Sequence, residues 1–275
     1  MAGPLKTRIL TAMAIGVFAF ILIFLIPAWG FRLATAILFM VGSWEFARLS
    51  DLGAISRWLL VVLQAGLIAL MLRYWDGIAS HALAFLVAAC LSWCVMLLRL
   101  VTFRPGSKPN LNYRLVSFFC ALASISFAWF ALAWLRSQTQ GQLLILLLLF
   151  TIWAADTGAY FAGRLFGRHK LAPSISPGKT FEGLLGGAML ALFIALPLAR
   201  LTLDWAAALA VLALATLITV LSSAAGDLFV SLHKRTVGLK DSGRLFPGHG
   251  GVLDRFDSLL AGAPFFALGM FALGR

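Results

Sequence analysis

The most polar part of this chain is the run from Ser231 to Asp257, where nine ionisable side chains fall within 24 residues. Acids and bases alternate in this run, and five glycines accompany them. Glycine-rich backbone lets N–H groups approach an anion, carboxylates suit hard cations, and Lys and Arg suit phosphates. The run therefore suits a metal-bound polyphosphate, although a solvated connector between two helices is the simpler alternative.

The acids of this run are spaced for a shared site. Asp254 and Asp257 lie three residues apart, on one face of a helix predicted to begin just before them. Asp227, at the end of the preceding apolar segment, shares a helical face with Ser231 and Lys234. Two predicted helices thus direct carboxylates towards the same polar run.

A second group of unusual residues lies upstream. Asp156 falls well inside an apolar segment, where a charge is costly, so it is either functional or one half of a salt bridge between helices. Around it Ala155, Ala159, Gly163 and Gly167 recur every four residues. Such a stripe of small residues predicts the close approach of another helix.

The loop after this segment is basic and contains Gly178-Lys179-Thr180, which invites comparison with a nucleotide-binding P-loop. That pattern needs a glycine where Pro173 stands, and no parallel-sheet pattern surrounds it, so we reject the P-loop. A basic loop at the membrane surface remains, able to hold an anionic headgroup or a nucleotide phosphate.

The amino-acid composition indicates whether this protein folds in water or in a lipid bilayer. Of 275 residues, 62% are hydrophobic and 12% charged, with mean hydropathy +0.98. A soluble domain would carry about 25% charged residues. The chain is therefore predicted to be one integral membrane domain. Its net charge of +12 does not indicate nucleic acid, because the charges lie in short loops beside apolar segments.

Apolar segments of spanning length predict an all-α polytopic membrane bundle of about nine helices. Strands are not expected, because these segments are continuously apolar and do not alternate. With the N-terminus in the cytosol, 17 of the 22 Lys and Arg residues lie on the cytosolic side, which predicts an outside C-terminus. The segments are 9–29, 31–50, 57–75, 79–98, 115–135, 142–164, 183–199, 204–230 and 252–273.

The polar residues divide the domain 1–275 into two halves. Residues 1–140 are predicted to be mainly structural helices, and 141–275 to form the catalytic half. Glu45 is the exception in the first half. It is either an interfacial acid or a bundle-facing partner for a base.

The C-terminal half resembles the phosphatidate cytidylyltransferases, also called CDP-diacylglycerol synthases. The resemblance is carried by Ser231–Asp257, SLHKRTVGLKDSGRLFPGHGGVLDRFD, and within it by Leu245–Gly251. The stretches Asp156–Tyr160, Ser176–Thr180 and Gly226–Leu228 also look like this family. The match is specific, since about a dozen fixed positions coincide, whereas the first five apolar segments match only in being apolar. One departure is His233, in a position that is usually apolar in the family.

The resemblance implies that CTP and phosphatidic acid give CDP-diacylglycerol and pyrophosphate, an early step of phospholipid synthesis, without a covalent enzyme intermediate. It implies Mg²⁺, with a second cation left open, and membrane lipids as further partners; a homodimer also stays open. It implies Asp227, Asp254 and Asp257 as metal carboxylates, and these three with Asp241 and Lys240 as catalytic residues. The implied substrate-binding residues are Ser176, Lys179, Ser231, Lys234, Arg235, His249, Gly250, Gly251 and Arg255.

Several alternatives accompany this interpretation. His249 either donates to a phosphate or only shapes its glycine turn. An ion-coupled transporter would also place acids within the membrane, but its inverted repeats and broken helices are not found in the sequence. Among enzymes, a CTP-using polyprenol kinase or a CDP-alcohol phosphotransferase is the nearer rival. The short N-terminus without a transit pattern suits a bacterial inner membrane, with the active site facing the cytoplasm; an organelle membrane is the alternative.

Overall fold

The computed structural model describes residues 4–102, 108–203, 209–246, 248 and 250–274. It is a bundle of long helices with one short hairpin. The first helix, α1, continues into a π-helical turn at Ile21–Leu25. The helices are α1 (Pro4–Phe20), α2 (Ala28–Leu49), α3 (Ala54–Arg73), α4 (Trp75–Ser80), α5 (Ala82–Thr102), α6 (Leu111–Ser137), α7 (Gly141–Phe166), α8 (Phe181–Leu203), α9 (Leu209–Thr236) and α10 (Leu253–Ala272).

The predicted membrane bundle is confirmed in its main features. Among the described residues, six helices are long and apolar enough to cross a membrane: α3, α5, α6, α7, α8 and α9. A shorter apolar helix runs over Leu10–Leu25. The protein is thus a multi-pass, largely helical membrane protein, while nine spans and the orientation of the termini stay predictions.

Helix α6 lies at the centre of the bundle, where it packs against α2, α3, α5, α7 and α10. Its aromatic residues Trp129 and Phe130 are fully buried, as is Trp93 of α5. The indole nitrogen of Trp93 donates to the Leu260 carbonyl of α10 at 2.9 Å, which satisfies its polar group inside the core. Outward-facing side chains such as Phe193 of α8, 76% exposed, suit contact with lipid.

The stripe of small residues on α7 has the predicted partner, helix α8. A Cβ added at Gly187 would lie 2.5 Å from the Ala155 carbonyl oxygen, and one at Gly183 would lie 2.9 Å from that of Ala159. The two backbones therefore approach as closely as glycine allows. This packing fixes the start of α8, and with it the loop that precedes it.

That loop contains a feature that the sequence did not predict within the all-α bundle. Strands β1 (Lys170–Ala172) and β2 (Ser176–Thr180) form an antiparallel hairpin between α7 and α8. Strands of three and five residues are too short to give a recognisable alternating pattern, so the sequence indicated only a loop. Thr180 ends β2, and its hydroxyl accepts from the Gly183 amide, capping α8.

Candidate active site

The site lies where α9 and α10 come together. Gly226 of α9 lies against the Asp257 carbonyl of α10, and a Cβ there would be 2.6 Å from that oxygen. This close contact places Asp227, the next residue of α9, within electrostatic reach of the Asp257 side chain. The two predicted carboxylate helices are therefore brought together.

Asp227 is held by two groups from two elements. Lys179, on β2 of the hairpin, places its ammonium 2.7 Å from Asp227 Oδ2. Ser231, one turn further along α9, donates its hydroxyl to Asp227 Oδ1 at 3.2 Å. Lys179 also donates to the Ala224 carbonyl at 3.1 Å. The hairpin thus delivers a cation to the predicted acid, and the shared face of Asp227 and Ser231 is confirmed.

Asp254 is held more tightly, in the first turn of α10. Its Oδ1 accepts from the Lys234 ammonium at 2.9 Å, and only 6% of the Asp254 side chain is exposed. Its Oδ2 accepts from the backbone amides of Ser242 and Gly251, at 2.8 and 2.9 Å. Gly250 has a φ of +81°, and a Cβ there would come 2.5 Å from Asp254 Oδ2. Glycine is needed at this position for both reasons.

The carboxylates of Asp227 and Asp254 belong to one electrostatic network. Lys234 pairs with Asp254 and also interacts with Asp227. Asp257 interacts with Asp227 and with both lysines, and Asp156 interacts with Asp227 and Lys179. Four acids and two lysines therefore belong to one electrostatic network. Asp156 joins the polar network as part of a cluster, and no described contact makes it half of a simple ion pair.

The sequence allows two roles for Glu45, and the structure places this residue beneath the polar loop. It faces the bundle and is 4% exposed, in line with the bundle-facing alternative. Its partners are donors of the loop and helix, not a base. Oε2 accepts from the Ser242 hydroxyl at 2.7 Å and from the Leu253 amide at 2.8 Å, and Oε1 accepts from the Val252 amide at 3.0 Å. Glu45 thus caps α10 from a helix of the first half.

The hairpin is fixed to α9 by polar and apolar contacts. The guanidinium of Arg235 donates through Nε to the Ile175 carbonyl at 3.3 Å. The Ile175 side chain is buried with Leu228 and Leu232 of α9. Arg235 therefore anchors the hairpin, a role that its predicted assignment to substrate did not include. At the other end, Glu182 accepts from the amides of Arg168 and His169.

Other predicted residues lie at the edge of this network. Lys240 and Asp241 are exposed in the loop before Asp254, and they line a cavity with Arg48. Arg255 is exposed, and Ser176 pairs with Ala172 in the hairpin. Within the described residues these side chains have no recorded ion pair with the clustered acids. The predicted His249 lies outside the described residues.

His233, the departure from the family pattern, is part of the core. Its ring is fully buried, 4.5 Å from that of Phe229 and 5.0 Å from that of Phe46. Nδ1 lies 2.8 Å from the Phe229 carbonyl, and Nε2 lies 3.2 Å from the Ser117 hydroxyl. Both ring nitrogens have polar neighbours within an aromatic cluster. His233 therefore acts as a packing residue and does not reach the acids.

The carboxylates suit a cation that is shared with a substrate. In the described part of the chain no three His, Cys, Asp or Glu residues form a complete metal cluster. Mg²⁺ is commonly held by only one or two carboxylates, with substrate phosphates as further ligands. Asp227 and Asp257 offer such oxygens. In Asp257, Oδ1 accepts a hydrogen bond from the Ser258 amide, and Oδ2 takes no part in that bond. The donor set therefore fits a phosphate-bound Mg²⁺.

Comparison with known proteins agrees with this chemistry. A model described as the cytidylyltransferase family matches residues 6–273. A phosphatidate cytidylyltransferase of Haemophilus influenzae is 34% identical over 280 residues, covering 96% of this chain and 97% of the relative. One of Pseudomonas aeruginosa is 37% identical over 270 residues, covering 98% of each. One of Staphylococcus saprophyticus is 44% identical over 143 residues, covering 52% and 54%. The similarity thus includes the helices of the first half.

Proposed function

Because the chain belongs to the cytidylyltransferase family, we propose that it transfers the cytidylyl group of CTP to phosphatidic acid. The protein is a nucleotidyltransferase, and it crosses the membrane several times. The proposed products are CDP-diacylglycerol and pyrophosphate. The observation that carries the proposal is the network of Lys179, Asp227, Lys234 and Asp254, which joins cations and acids from three elements.

In the proposed reaction an oxygen of the phosphatidate phosphate attacks the α-phosphorus of CTP. A new P–O bond forms, the bond between the α-phosphorus and the bridging oxygen breaks, and its electron pair leaves with pyrophosphate. A phosphomonoester has its second pKa at about 6, so the attacking oxygen is largely anionic at neutral pH. The protein therefore needs no strong general base and no covalent intermediate. Its task is to bring two polyanions together.

Lys179 and Lys234 are the residues for that task. A lysine ammonium has three donors, and two of those of Lys179 are used by Asp227 and the Ala224 carbonyl. The third can donate to a substrate phosphate. Lys234 is 12% exposed, so its charge is poorly screened by water and acts strongly on a bound phosphate. Ser231, which orients Asp227, belongs to the same group of positioning contacts.

Of the three predicted metal carboxylates, we assign Mg²⁺ to Asp227 and Asp257. The Asp254 side chain is only 6% exposed and already accepts three hydrogen bonds, so it fixes the loop beside them. When bound, the ion would neutralise charge on the phosphates and on the departing pyrophosphate. The acids keep the region negative enough to attract a cation, while the lysines prevent their mutual repulsion. Asp227→Asn and Asp257→Asn should each lower CTP-dependent turnover strongly at saturating Mg²⁺. Near wild-type turnover in both variants would contradict this assignment.

The lipid substrate explains why such a site would lie at the surface of the membrane. Phosphatidate presents its phosphate at the surface of the bilayer while its acyl chains stay in lipid, so the site must open to both. We propose nine spans with a cytosolic N-terminus, which places the hairpin and the run 231–257 on the cytosolic side of a bacterial inner membrane. Helices α7, α9 and α10 would then line the proposed substrate cavity.

The test is a reconstitution with chemically resolved products. The purified protein receives CTP, Mg²⁺ and a panel of lipid acceptors, and mass spectrometry identifies the products. CDP-diacylglycerol formed only from phosphatidic acid would support the proposal. A phosphorylated polyprenol would support the polyprenol kinase. CMP release from added CDP-diacylglycerol with an alcohol acceptor would support the phosphotransferase. Accumulation of solute in proteoliposomes without lipid chemistry would indicate a transporter.

A further inference from the structure

A cavity of about 200 Å³ opens between the end of α2 and the loop before α10. Its position matters because α2 belongs to the half of the chain that the sequence indicated to be structural. The cavity is smaller than the sites of drug-sized ligands, which span about 300–1,000 Å³. Its lining consists of Arg48, Leu239, Lys240, Asp241, Gly243 and Arg244.

The charge of this cavity is strongly positive. Three cations, Arg48, Lys240 and Arg244, line it together with one acid, Asp241, and all four side chains are exposed. Among the described residues, none of the three cations has a carboxylate within the 4.0 Å of an ion pair. Cations that outnumber acids in a concave surface concentrate anions there. Two arginines, with their planar donor forks, favour phosphate in particular.

The walls of the cavity are fixed to the candidate active site. Ser242 lies between the lining residues Asp241 and Gly243, and it donates its amide to Asp254 and its hydroxyl to Glu45. Gly243 itself lies against the Glu45 carboxylate, where a side chain would collide. Arg48 follows Glu45 by three residues on α2, so it lies on the neighbouring part of the same helical face. One acid thus anchors the loop wall while the adjacent arginine lines the cavity.

We propose that Arg48, Lys240 and Arg244 form a phosphate-binding subsite that the end of α2 completes. The subsite rests on the proposed function and holds a phosphate group of one of the two substrates, beside the loop that carries Asp254. The ligand is either the headgroup of the lipid substrate or a phosphate of the nucleotide. Both present the same chemistry to the three cations, and kinetics with each substrate varied separately distinguishes them.

The test uses Arg48→Gln, which removes the charge but keeps a polar side chain. The matched control is Arg114→Gln. Arg114 of α6 pairs at 2.7 Å with Asp51, which lies just beyond the end of α2. The control therefore removes a cation beside the same end of α2. KM is measured for CTP at saturating phosphatidate and for phosphatidate in mixed micelles at saturating CTP. Thermal unfolding in detergent shows whether both variants fold.

Arg48→Gln should raise one KM by about tenfold or more, because a charge-assisted hydrogen bond to phosphate is lost. It should change kcat by less than about twofold, since the contact is made equally before and during the reaction. Arg48→Lys should recover part of the affinity. A raised KM for phosphatidate assigns the subsite to the lipid, and a raised KM for CTP assigns it to the nucleotide. Arg114→Gln should leave both values unchanged.

Three results would overturn the subsite. Both KM values could stay at wild type in Arg48→Gln, both variants could raise KM equally, or kcat alone could fall. If Arg48→Gln does not fold, Arg244→Gln takes its place with the same readouts and the same criteria. The proposed function fails separately, because it requires wild-type protein to make CDP-diacylglycerol at all.

Discussion

Replacing Glu45 by glutamine tests whether a buried acid of α2 holds the polar loop in place. Glu45 accepts three hydrogen bonds, two at Oε2 and one at Oε1. The glutamine oxygen can replace Oε2 and keep the bonds from the Ser242 hydroxyl and the Leu253 amide. The NH₂ group must then stand where Oε1 was, facing the Val252 N–H. Two donors would oppose each other, and the Val252 amide would lose its partner.

The cost follows from these contacts. A buried donor left unpaired costs about 1–3 kcal/mol, and hydrogen bonds to a charged acceptor exceed neutral ones by about 1 kcal/mol each. Glu45→Gln should therefore destabilise the fold by about 3 kcal/mol or more, a large part of a typical total of about 5–15 kcal/mol. The Ser242 amide also donates to Asp254, so the loss should spread to the active site.

The assay combines thermal unfolding in detergent with CTP-dependent turnover. Glu45→Gln should lower Tm by about 5–10 °C and turnover by about tenfold or more. The control is Asp76→Asn, the same acid-to-amide change at an exposed position of α4. Ser242→Ala should lose less stability, and the double variant with Glu45→Gln should lose less than the sum of the two, because the residues share one bond.

The reasoning would be refuted by one clear outcome. If Glu45→Gln unfolds and turns over like Asp76→Asn, the carboxylate does not hold the loop. Additive losses in the double variant would show that the charge of Glu45 does not strengthen its hydrogen bond with Ser242.

Three further predictions concern other contacts. Lys179→Met should lower turnover by about 10²-fold, as the loss of a preorganised donor to a transferring group does, whereas Lys170→Met on the other strand should have little effect. Gly187→Ala should lower Tm, because its methyl group would meet α7, while Gly66→Ala, with open space around it, should raise Tm slightly by favouring the helix. His233→Leu should keep turnover within about threefold of wild type and change Tm more than rate, since the ring packs in the core.

The sequence was sufficient for the features that depend on local composition. Continuously apolar segments predicted the long helices, because the bilayer requires internal hydrogen bonding over about 20 residues. The four-residue stripe predicted that α7 would meet another helix closely, and α8 does so at Gly183 and Gly187. The helical spacing of Asp227 and Ser231 likewise predicted their contact. The motif residues also indicated the family that the comparisons then showed.

Two other features required the tertiary structure, because they join residues far apart in the chain. Lys179 reaches Asp227 only because the hairpin folds back onto α9, and strands this short leave no pattern in the sequence. Lys234 pairs with Asp254 only because the loop between them returns the chain.

Glu45 and Arg48 show most clearly what the sequence could not predict. In sequence they are two charges near the end of an apolar segment, nearly 200 residues before the loop they contact, and periodicity reports only which face of α2 they occupy. Their roles depend on what packs against that face. The sequence therefore determined the helices, their small-residue contact and the identity of the acids. The tertiary structure decided which cation meets which acid, since a hydrogen bond depends on distance in space and not on separation along the chain.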